Sequence, residues 1–391
     1  MSNSKKILFY LIRYPGFGGI EKVTTILANY FVSNLGYEVT IASLEKEYEE
    51  LLLPELSTKI VVEHCNIHNI EEELNFIIKK HGTNTIIFQD SYDKMEKPLI
   101  ILTKKYNIKL ITVEHNTPDC LFVDSLNSFH EAKVNGFYSL MRKMYLLYKV
   151  ANTWFTSSKR HTILLKNSSK YILLSSHYMR ILSLMTWRQK LQSVHVINNP
   201  VTIKQSLSSE KLPKEKIILF ASRLVSEKGV DKLLDIWVEF SVNNPDWKLQ
   251  IVGDGPLMDF VKSYIKELNL KNVFIEGYQS NMIPYFEKAS ILCMTSIYEG
   301  WPLVILEAMS YGCVPVLYKS YLSVVEIIDN NINGHLIPAF EKNVFISCLN
   351  KLVNDKKRLE NESNNAIIKS RKFGIDKIAD DWKLIIEENI N

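Results

Sequence analysis

The chain has 391 residues, too many for one ordinary hydrophobic core and suited to two domains. Its 46% hydrophobic and 23% charged residues are typical of a globular protein in water, and its net charge of +4 is unremarkable for the chain as a whole. The sequence has no apolar run of membrane-spanning length and no signal-peptide cleavage pattern, so we expect a cytoplasmic protein.

Strand-like and helix-like segments alternate through the N-terminal half. The first strand, Lys6 to Ile12, leads into a loop containing Gly18 and Gly19, after which apolar residues up to Phe31 recur at helical spacing. Further strands are predicted at residues 38–44, 60–65, 85–90, 109–114, 171–176 and 194–197, and helices fall between several of them, for instance at 70–80 and 98–106. This alternation predicts a parallel sheet with helices on both faces.

The turn-forming residues around Pro200, followed by the polar run 204–216, predict a domain boundary. Beyond it, strands are predicted at residues 217–222, 248–252, 272–276, 290–296 and 314–318, and helices at 230–240, 257–268, 282–288, 303–311 and 375–386. The fold class is therefore α/β, with two doubly wound, Rossmann-like domains at residues 1–200 and 201–373. Because ligands of parallel sheets bind at the carboxyl ends of the strands, we expect both sets of strand ends to face a central cleft.

The cysteines and histidines give no indication of a metal site. The five cysteines are odd in number and far apart, so we expect reduced residues rather than disulfides. His64 and His68 are four residues apart, but they lie at a predicted strand end, where this spacing does not put both rings on one helix face. We predict that the protein binds no metal.

Three loops after predicted strands carry residues suited to phosphate binding. Arg223 and Lys228 flank the first loop, and a guanidinium with an ammonium could neutralise most of a diphosphate. Gly253 and Asp254 lie in the next loop, where glycine permits close backbone approach to a ligand. Taken singly, the first pair could be two surface cations and the second loop a plain strand-to-helix turn.

The third loop and its helix form the sequence Glu299-Gly300-Trp301-Pro302-Leu303-Val304-Ile305-Leu306-Glu307-Ala308. Pro302 suits the first helical position, and a helix N-terminus after a buried strand offers N–H groups and partial positive charge to a phosphate. Glu299 would lie at the mouth of that site and Glu307 in the helix. On this evidence alone, an ordinary junction with two solvated glutamates is equally compatible.

The ordered set of these motifs resembles glycosyltransferase family 4, the retaining nucleotide-sugar transferases of the GT-B fold. The set is Arg-Leu-x3-Lys-Gly, Gly-Asp-Gly-Pro and Glu-Gly-x-Pro-Leu-x-x-Leu-Glu-Ala, dense from about Ile217 to Leu336 and looser in the N-terminal half, where Gly18-Gly19-x-Glu21 matches. The resemblance implies a retaining hexosyltransferase that uses a nucleotide-diphosphate sugar, with a UDP-sugar as the expected donor. It also implies a C-terminal helix, residues 374–391, that packs back on the first domain.

The resemblance assigns roles to individual residues. Arg223 and Lys228 would bind the diphosphate and stabilise the departing nucleotide, which makes a metal or other cofactor unnecessary. Glu299 would contact the transferred sugar and Glu307 the ribose hydroxyls. The remaining donor-binding residues would be Gly18, Gly19, Gly253, Asp254, Tyr278, Gln279, Gly300, Leu303 and Val304, with Tyr278 and Gln279 near the base.

His115, after the fifth strand, matches the place of a family histidine near the donor sugar. It could hydrogen-bond a sugar hydroxyl or assist the reacting centre, or it could merely cap the next turn. Trp301 and Pro302 depart from the family pattern, where smaller or Phe side chains and Gly are frequent, and this leaves sugar specificity open.

Charge is concentrated between His130 and Lys190. This segment carries eleven basic residues against one acid, Glu131, so its net charge is +10 and the remainder of the chain carries −6. We expect its aromatic residues to be mostly helix core, and its cations to dock on the anionic inner leaflet of the cytoplasmic membrane. Nucleic acid would attract the same charge, but no nucleic-acid-binding motif accompanies it.

These observations lead to one functional expectation and two alternatives. We expect transfer of a sugar from the nucleotide-diphosphate sugar to a saccharide acceptor. The expected acceptor is a lipid-linked saccharide used in the biosynthesis of surface polysaccharides or glycoconjugates. The alternatives are a nucleotide-sugar epimerase or phosphorylase on the same scaffold, and a nucleotide-sugar-binding module without catalysis. The four charged residues Arg223, Lys228, Glu299 and Glu307 argue against the last.

Overall fold

The computed structural model describes residues 5–16, 18–45, 56–89, 95–131, 137–187, 189–203 and 213–388. The chain divides into two compact units. The first comprises Met1–Asn199 together with Ile375–Asn391, and the second comprises Pro200–Gly374.

The first unit is built on a seven-stranded sheet in which every pair of neighbours is parallel. Its strands are β1 (Lys6–Arg13), β2 (Glu38–Glu45), β3 (Val61–His64), β4 (Thr85–Phe88), β5 (Lys109–Glu114), β6 (Lys170–Leu173) and β7 (Val194–Val196), in the order β3-β2-β1-β4-β5-β6-β7. The interior strand β1 is apolar on both faces, and Ile7 to Leu11 are almost fully buried because helices cover both sides.

Helices follow most strands of the first unit. They are α1 (Gly19–Ser33), α2 (Ile70–His81), α3 (Glu96–Tyr106), α4 (Cys120–Glu131), α5 (Phe137–Asn167) and α6 (Tyr178–Met185). Helix α1 buries Val23, Leu27 and Phe31, which lie on one face at a spacing of four residues. Helix α2 ends at Gly82, whose φ of +61° provides the left-handed cap that a side chain disfavours.

The second unit contains a six-stranded parallel sheet. Its strands are β8 (Glu215–Ala221), β9 (Lys248–Val252), β10 (Val273–Gly277), β11 (Ala289–Met294), β12 (Val314–Lys319) and β13 (His335–Pro338), in the order β10-β9-β8-β11-β12-β13. Its helices are α7 (Val230–Asn243), α8 (Met258–Glu267), α9 (Ile283–Lys288), α10 (Leu303–Ser310), α11 (Val324–Ile327), α12 (Lys342–Val353) and α13 (Lys356–Ser370). Phe220, Ile251 and Trp237 belong to its buried core.

The last helix, α14 (Ile375–Glu387), packs on the first unit although it follows the second in sequence. Trp382 meets Phe31 edge to face, with ring centroids 6.4 Å apart. The buried Lys109 Nζ donates to the carbonyl oxygens of Ile385 at 2.6 Å and Glu388 at 2.6 Å, so a cation caps the negative end of the helix.

The α/β prediction with two doubly wound sheets is confirmed, and all twelve predicted strands are present. The sixth strand of the second sheet, β13, was not predicted because it is four residues long and contains a histidine and a proline. Pro302 was expected as the first helical residue, but α10 begins at Leu303 and Pro302 precedes it with an extended ψ of 101°. Among the described residues, none of the helices is both long and apolar enough to cross a bilayer.

Candidate active site

The carboxyl edge of the second sheet brings together the loops that follow β8, β9, β10 and β11, because all its strands run in the same direction. Backbone hydrogen bonds join each loop to the next. Leu224 N donates to Asp254 O at 2.9 Å, Gly253 N to Gly277 O at 2.8 Å, and Ile297 N to Glu227 O at 2.8 Å. The loop residues predicted in this unit therefore lie along one connected rim.

Two glycines make this close approach possible. A Cβ added at Gly253, where φ is +139°, would lie 1.9 Å from the carbonyl oxygen of Ser222. A Cβ at Gly229, where φ is +67°, would lie 2.2 Å from the carbonyl oxygen of Thr295. Glycine at both positions accommodates the backbone conformation and the close approach between loops.

Lys228 and Glu299 form a largely buried ion pair at this rim, 71 residues apart in sequence. Lys228 Nζ lies 2.7 Å and 2.8 Å from the two carboxylate oxygens, and the side chains are 19% and 11% exposed. The Ser296 hydroxyl donates to Glu299 Oε1 at 2.9 Å and orients the carboxylate. The predicted phosphate-binding cation and the predicted sugar-binding carboxylate are thus direct partners in the structure.

Arg223 has a different environment, although it lies in the same loop as Lys228. Its side chain is 75% exposed, and Nη2 lies 3.8 Å from Glu227 Oε1. Such an exposed pair contributes little to stability, so the guanidinium can turn to an anion at small cost.

Glu307 is buried inside α10 rather than open to solvent. It is 4% exposed, and its Oε1 accepts a hydrogen bond from the Thr202 hydroxyl. Next to the helix start, Trp301 is also buried and packs edge to face on Phe373, with centroids 5.6 Å apart. The sequence analysis predicted neither Thr202 as the partner of Glu307 nor Phe373 as the partner of Trp301.

The other predicted donor residues lie on the same rim. Gly300 is buried, and Leu303 and Val304 are partly exposed in the first turn of α10, which has no side-chain cap among the described residues. Asp254 Oδ1 accepts from the Gly255 N–H at 2.7 Å. Tyr278 and Gln279 follow the edge strand β10, where Tyr278 is half exposed and Gln279 Nε2 donates to Glu276 O at 2.9 Å.

In the first unit, Gly18 precedes α1 and Gly19 is its first residue. The Glu21 carboxylate lies close to this loop. A Cβ added at Gly18 would be only 2.2 Å from Glu21 Oε2. Both glycines are exposed, so their backbone is open to a ligand.

His115 lies at the carboxyl end of β5 and is buried. Its Nε2 is 2.6 Å from Gln89 Oε1, and burial lowers its pKa to about 3, so the ring is neutral at physiological pH. Glu114, the preceding residue, is fully buried and instead accepts from the Tyr171 hydroxyl at 3.3 Å. The sequence analysis did not identify Gln89 as a site residue. Its position directly after an apolar strand could have indicated one, because polar residues at the carboxyl ends of parallel strands often line a binding site.

Helix α5 carries most of the basic segment, and none of its 31 residues is acidic. The expectation that the aromatics of this segment belong to the core is wrong for much of α5 and for Trp187, which is 67% exposed. Tyr171 and Tyr178, beyond α5, are buried, whereas four aromatic residues of α5 are at least 60% exposed. These are Tyr138, Tyr145, Tyr148 and Phe155. Lys133 and Arg188 lie outside the described residues.

Within the described part of the chain, no cluster of three His, Cys, Asp or Glu side chains could hold a metal ion. Cys65, Cys293 and Cys313 are buried, Cys120 and Cys348 are partly exposed, and all five are free thiols. His64 contacts Ser43 Oγ through Nδ1 at 3.0 Å.

Comparison with known proteins gives consistent matches. Residues 202–369 match the family described as "Glycosyl transferases group 1". An uncharacterized glycosyltransferase of Haemophilus influenzae is 27% identical over 98% of this chain and 100% of its own length. The amylovoran biosynthesis glycosyltransferase AmsD of Erwinia amylovora is 23% identical over 97% of this chain and 99% of its own.

Solved structures resemble the whole chain. Anabaena Alr3699/HepE in complex with UDP and glucose has a TM-score of 0.75 at 18% identity and covers 98% of this chain and 99% of its own. TarM has a TM-score of 0.76 at 14% identity with the same coverage. At these identities the likeness establishes the fold, which is GT-B.

Proposed function

We propose that this chain, a glycosyltransferase whose residues 202–369 match the group 1 family, transfers a sugar from a UDP-sugar to a lipid-linked saccharide with retention of anomeric configuration. The observation that carries the proposal is the rim of the second sheet, where Arg223 is exposed and Lys228 contacts Glu299. The product would serve surface polysaccharide assembly.

The two cations would act on the diphosphate of the donor. Arg223 offers a planar pair of donors for phosphate oxygens, and Lys228 offers a point charge. As the bond between the sugar and the diphosphate breaks, negative charge accumulates on the departing nucleotide, and fixed cations stabilise that charge. We propose that they make a metal ion unnecessary, so turnover should survive excess chelator.

The two glutamates would have separate tasks. Glu299, held by Lys228 and Ser296, would accept hydrogen bonds from hydroxyls of the transferred sugar. Glu307 accepts from Thr202 in the structure, and a ribose hydroxyl would take the place of that donor. Leu303 and Val304 would add backbone N–H groups at the start of α10.

The names of similar proteins support the choice of donor and acceptor. Structures of HepE contain UDP with glucose, or UDP-glucose. A Campylobacter jejuni relative, 26% identical over 51% of this chain, extends a saccharide on undecaprenol diphosphate, and an Escherichia coli relative is a lipopolysaccharide 1,6-galactosyltransferase. AmsD is named for the biosynthesis of a polysaccharide, amylovoran.

The first experiment is a screen of nucleotide sugars for thermal stabilisation, because a bound donor raises stability by mass action. Nucleotide release is then measured with and without lipid-linked saccharides. Acceptor-dependent release supports transfer, whereas conversion of the donor without an acceptor would identify an epimerase. Arg223→Ala should lower kcat/KM by about 10²-fold or more, and unchanged turnover would contradict the donor site.

We also propose that the N-terminal half of α5 docks on an anionic membrane surface. Arg142 and Lys149 are exposed on this helix beside Tyr145 and Tyr148, and an amphipathic mixture of cations and aromatics is what an interfacial helix presents. Each cation near an anionic leaflet is worth about 1 kcal/mol. Apolar exposure alone would suit a protein partner equally, but the absence of any acid from α5 favours lipid head groups.

Vesicle flotation tests the docking surface. The chain should float with phosphatidylserine-containing vesicles, less so with neutral ones, and salt should weaken binding. The double change Arg142→Glu and Lys149→Glu should abolish flotation, while the same charge change at Lys351 and Lys357 should not. Equal flotation of both double variants, or no preference for anionic lipid, would overturn the proposal.

A further inference from the structure

Gln89 and His115 form a buried pair at the ends of two neighbouring strands. Gln89 follows β4 and His115 follows β5, which pair in parallel, and the backbone N–H of Gln89 donates to Tyr10 O at 2.9 Å. The side chains are 1% and 8% exposed, and Gln89 Oε1 lies 2.6 Å from His115 Nε2. The pair is therefore fixed by the sheet itself.

This contact decides where the imidazole carries its proton. An amide oxygen can only accept, so His115 Nε2 donates and, in a neutral ring, Nδ1 is left as an acceptor. Burial keeps the ring neutral by lowering its pKa to about 3. Within the described residues Nδ1 makes no hydrogen bond.

Two other buried histidines show how unusual this arrangement is. His161 uses both nitrogens, with Nδ1 2.9 Å from the Tyr171 hydroxyl and Nε2 2.9 Å from Pro118 O. His335 Nε2 lies 2.7 Å from the Glu362 carboxylate, a partner that is an acid rather than a neutral amide. His115 combines a neutral partner with an uncommitted nitrogen, which a purely structural histidine does not need.

The amide of Gln89 has a cost of its own. Its Nε2 is buried and has no hydrogen-bond partner among the described residues. Leaving a buried donor unsatisfied is destabilising. A leucine of similar size would avoid this cost, which points to a function of the side-chain oxygen.

We propose that Gln89 is a positioning residue that holds His115 in the tautomer protonated at Nε2, so that Nδ1 accepts a hydrogen bond from a sugar hydroxyl. The inference rests on the proposed function and on the position of His115 at the carboxyl edge of the first sheet. Glu114, the nearest carboxylate in sequence, is engaged by Tyr171 and lies 3.6 Å from His161 Nδ1, so the amide of Gln89 is the group that contacts the His115 ring.

Two substitutions test the role through the pH dependence of kcat/KM. Gln89→Glu places a carboxylate against Nε2, which favours the charged ring and removes the acceptor at Nδ1. This variant should lose activity on the acidic side and recover it as pH rises, an acidic limb that the wild type lacks. Gln89→Leu should lower kcat/KM about tenfold at every pH, since one positioning hydrogen bond is lost.

A merely structural role would give another result. The control is Gln250→Leu, which removes a glutamine from a strand of the second sheet, where Gln250 Nε2 donates to Glu276 Oε1 at 2.9 Å. It shows how the loss of a strand glutamine affects stability when no histidine tautomer is involved. Nitrogen-15 spectra of histidine-labelled protein should show His115 protonated at Nε2 in the wild type. A wild-type pH profile for Gln89→Glu, or an Nδ1-protonated ring in the wild type, would overturn the proposal.

The failure of this inference and of the proposed function can be told apart. If His115→Asn and the Gln89 variants leave transfer unchanged while Arg223→Ala abolishes it, the histidine role is wrong and the transferase stands. If Arg223→Ala leaves acceptor-dependent release unchanged, the proposed donor site is wrong regardless of Gln89.

Discussion

Gly253→Ala tests the close packing of the loops at the proposed donor site, with Gly277→Ala as its matched control. Both glycines have a positive φ, +139° and +67°. A Cβ at Gly277 would have no neighbour within 4 Å, whereas a Cβ at Gly253 would lie 1.9 Å from Ser222 O. Both variants therefore carry a conformational cost, and only Gly253→Ala adds the clash.

The magnitudes follow from this difference. A non-glycine residue in a left-handed conformation costs about 1–2 kcal/mol, which is the whole expected effect of Gly277→Ala. In Gly253→Ala the carbonyl of Ser222 must also move by about 1 Å, and forcing extra atoms into a packed region adds about 1–3 kcal/mol. Because Arg223 directly follows Ser222, the guanidinium should shift as well, and a displacement of about 1 Å can cost 10²-fold in rate.

Thermal unfolding and steady-state kinetics measure the two effects. For a unit of this size about 1 kcal/mol corresponds to about 2–4 °C, so Gly253→Ala should unfold several degrees below Gly277→Ala. Its kcat/KM should also fall much further at temperatures where both variants are folded. Equal melting temperatures, or full activity in folded Gly253→Ala, would refute the steric reasoning.

Three further predictions concern charged groups. Lys228→Met should lower the free energy of unfolding by about 3–5 kcal/mol, because it leaves the Glu299 carboxylate buried without its cation. The double variant Lys228→Met with Glu299→Gln should lose less than the single variant in chemical denaturation. A double variant that is no more stable than the single one would contradict this. The folded pKa of His115 is about 3 against an ordinary 6.5, so the folded state binds fewer protons between these values and stability should fall as pH drops from 6.5, a slope that His115→Asn should reduce. Burial lowers the pKa of Lys109 from 10.5 to about 8, so stability should rise as pH rises from 8 towards 10.5, and a Lys109→Met variant with the same slope would rule this group out.

Much of the fold could be predicted because its strands are continuous apolar runs, which a doubly covered parallel sheet requires. The positions of Arg223 and Glu299 at strand ends followed from topology alone. Their contacts did not, since the pairing of Lys228 with Glu299 joins loops 71 residues apart. Local patterns do not encode which of two neighbouring loops a side chain reaches.

The aromatic residues of α5 show a case in which the sequence pattern predicted burial and the structure has exposure. Hydrophobicity at helical spacing indicates a buried face in most helices, so Tyr145 and Tyr148 were expected in the core. In the structure both are more than 60% exposed. Their burial depends on which other elements of the fold pack against α5, and a one-dimensional pattern does not contain that information.

The path of the chain through α14 has a consequence for biogenesis. During synthesis, residues 200–374 leave the ribosome before Trp382 and the carbonyls that Lys109 caps, so the second unit can fold while the first still lacks its last helix. Until then, the side of Phe31 that Trp382 covers stays exposed on the nascent chain. A stop codon before residue 375 would therefore leave a complete second unit attached to an unfinished first one, a product suited to recognition by chaperones and proteases.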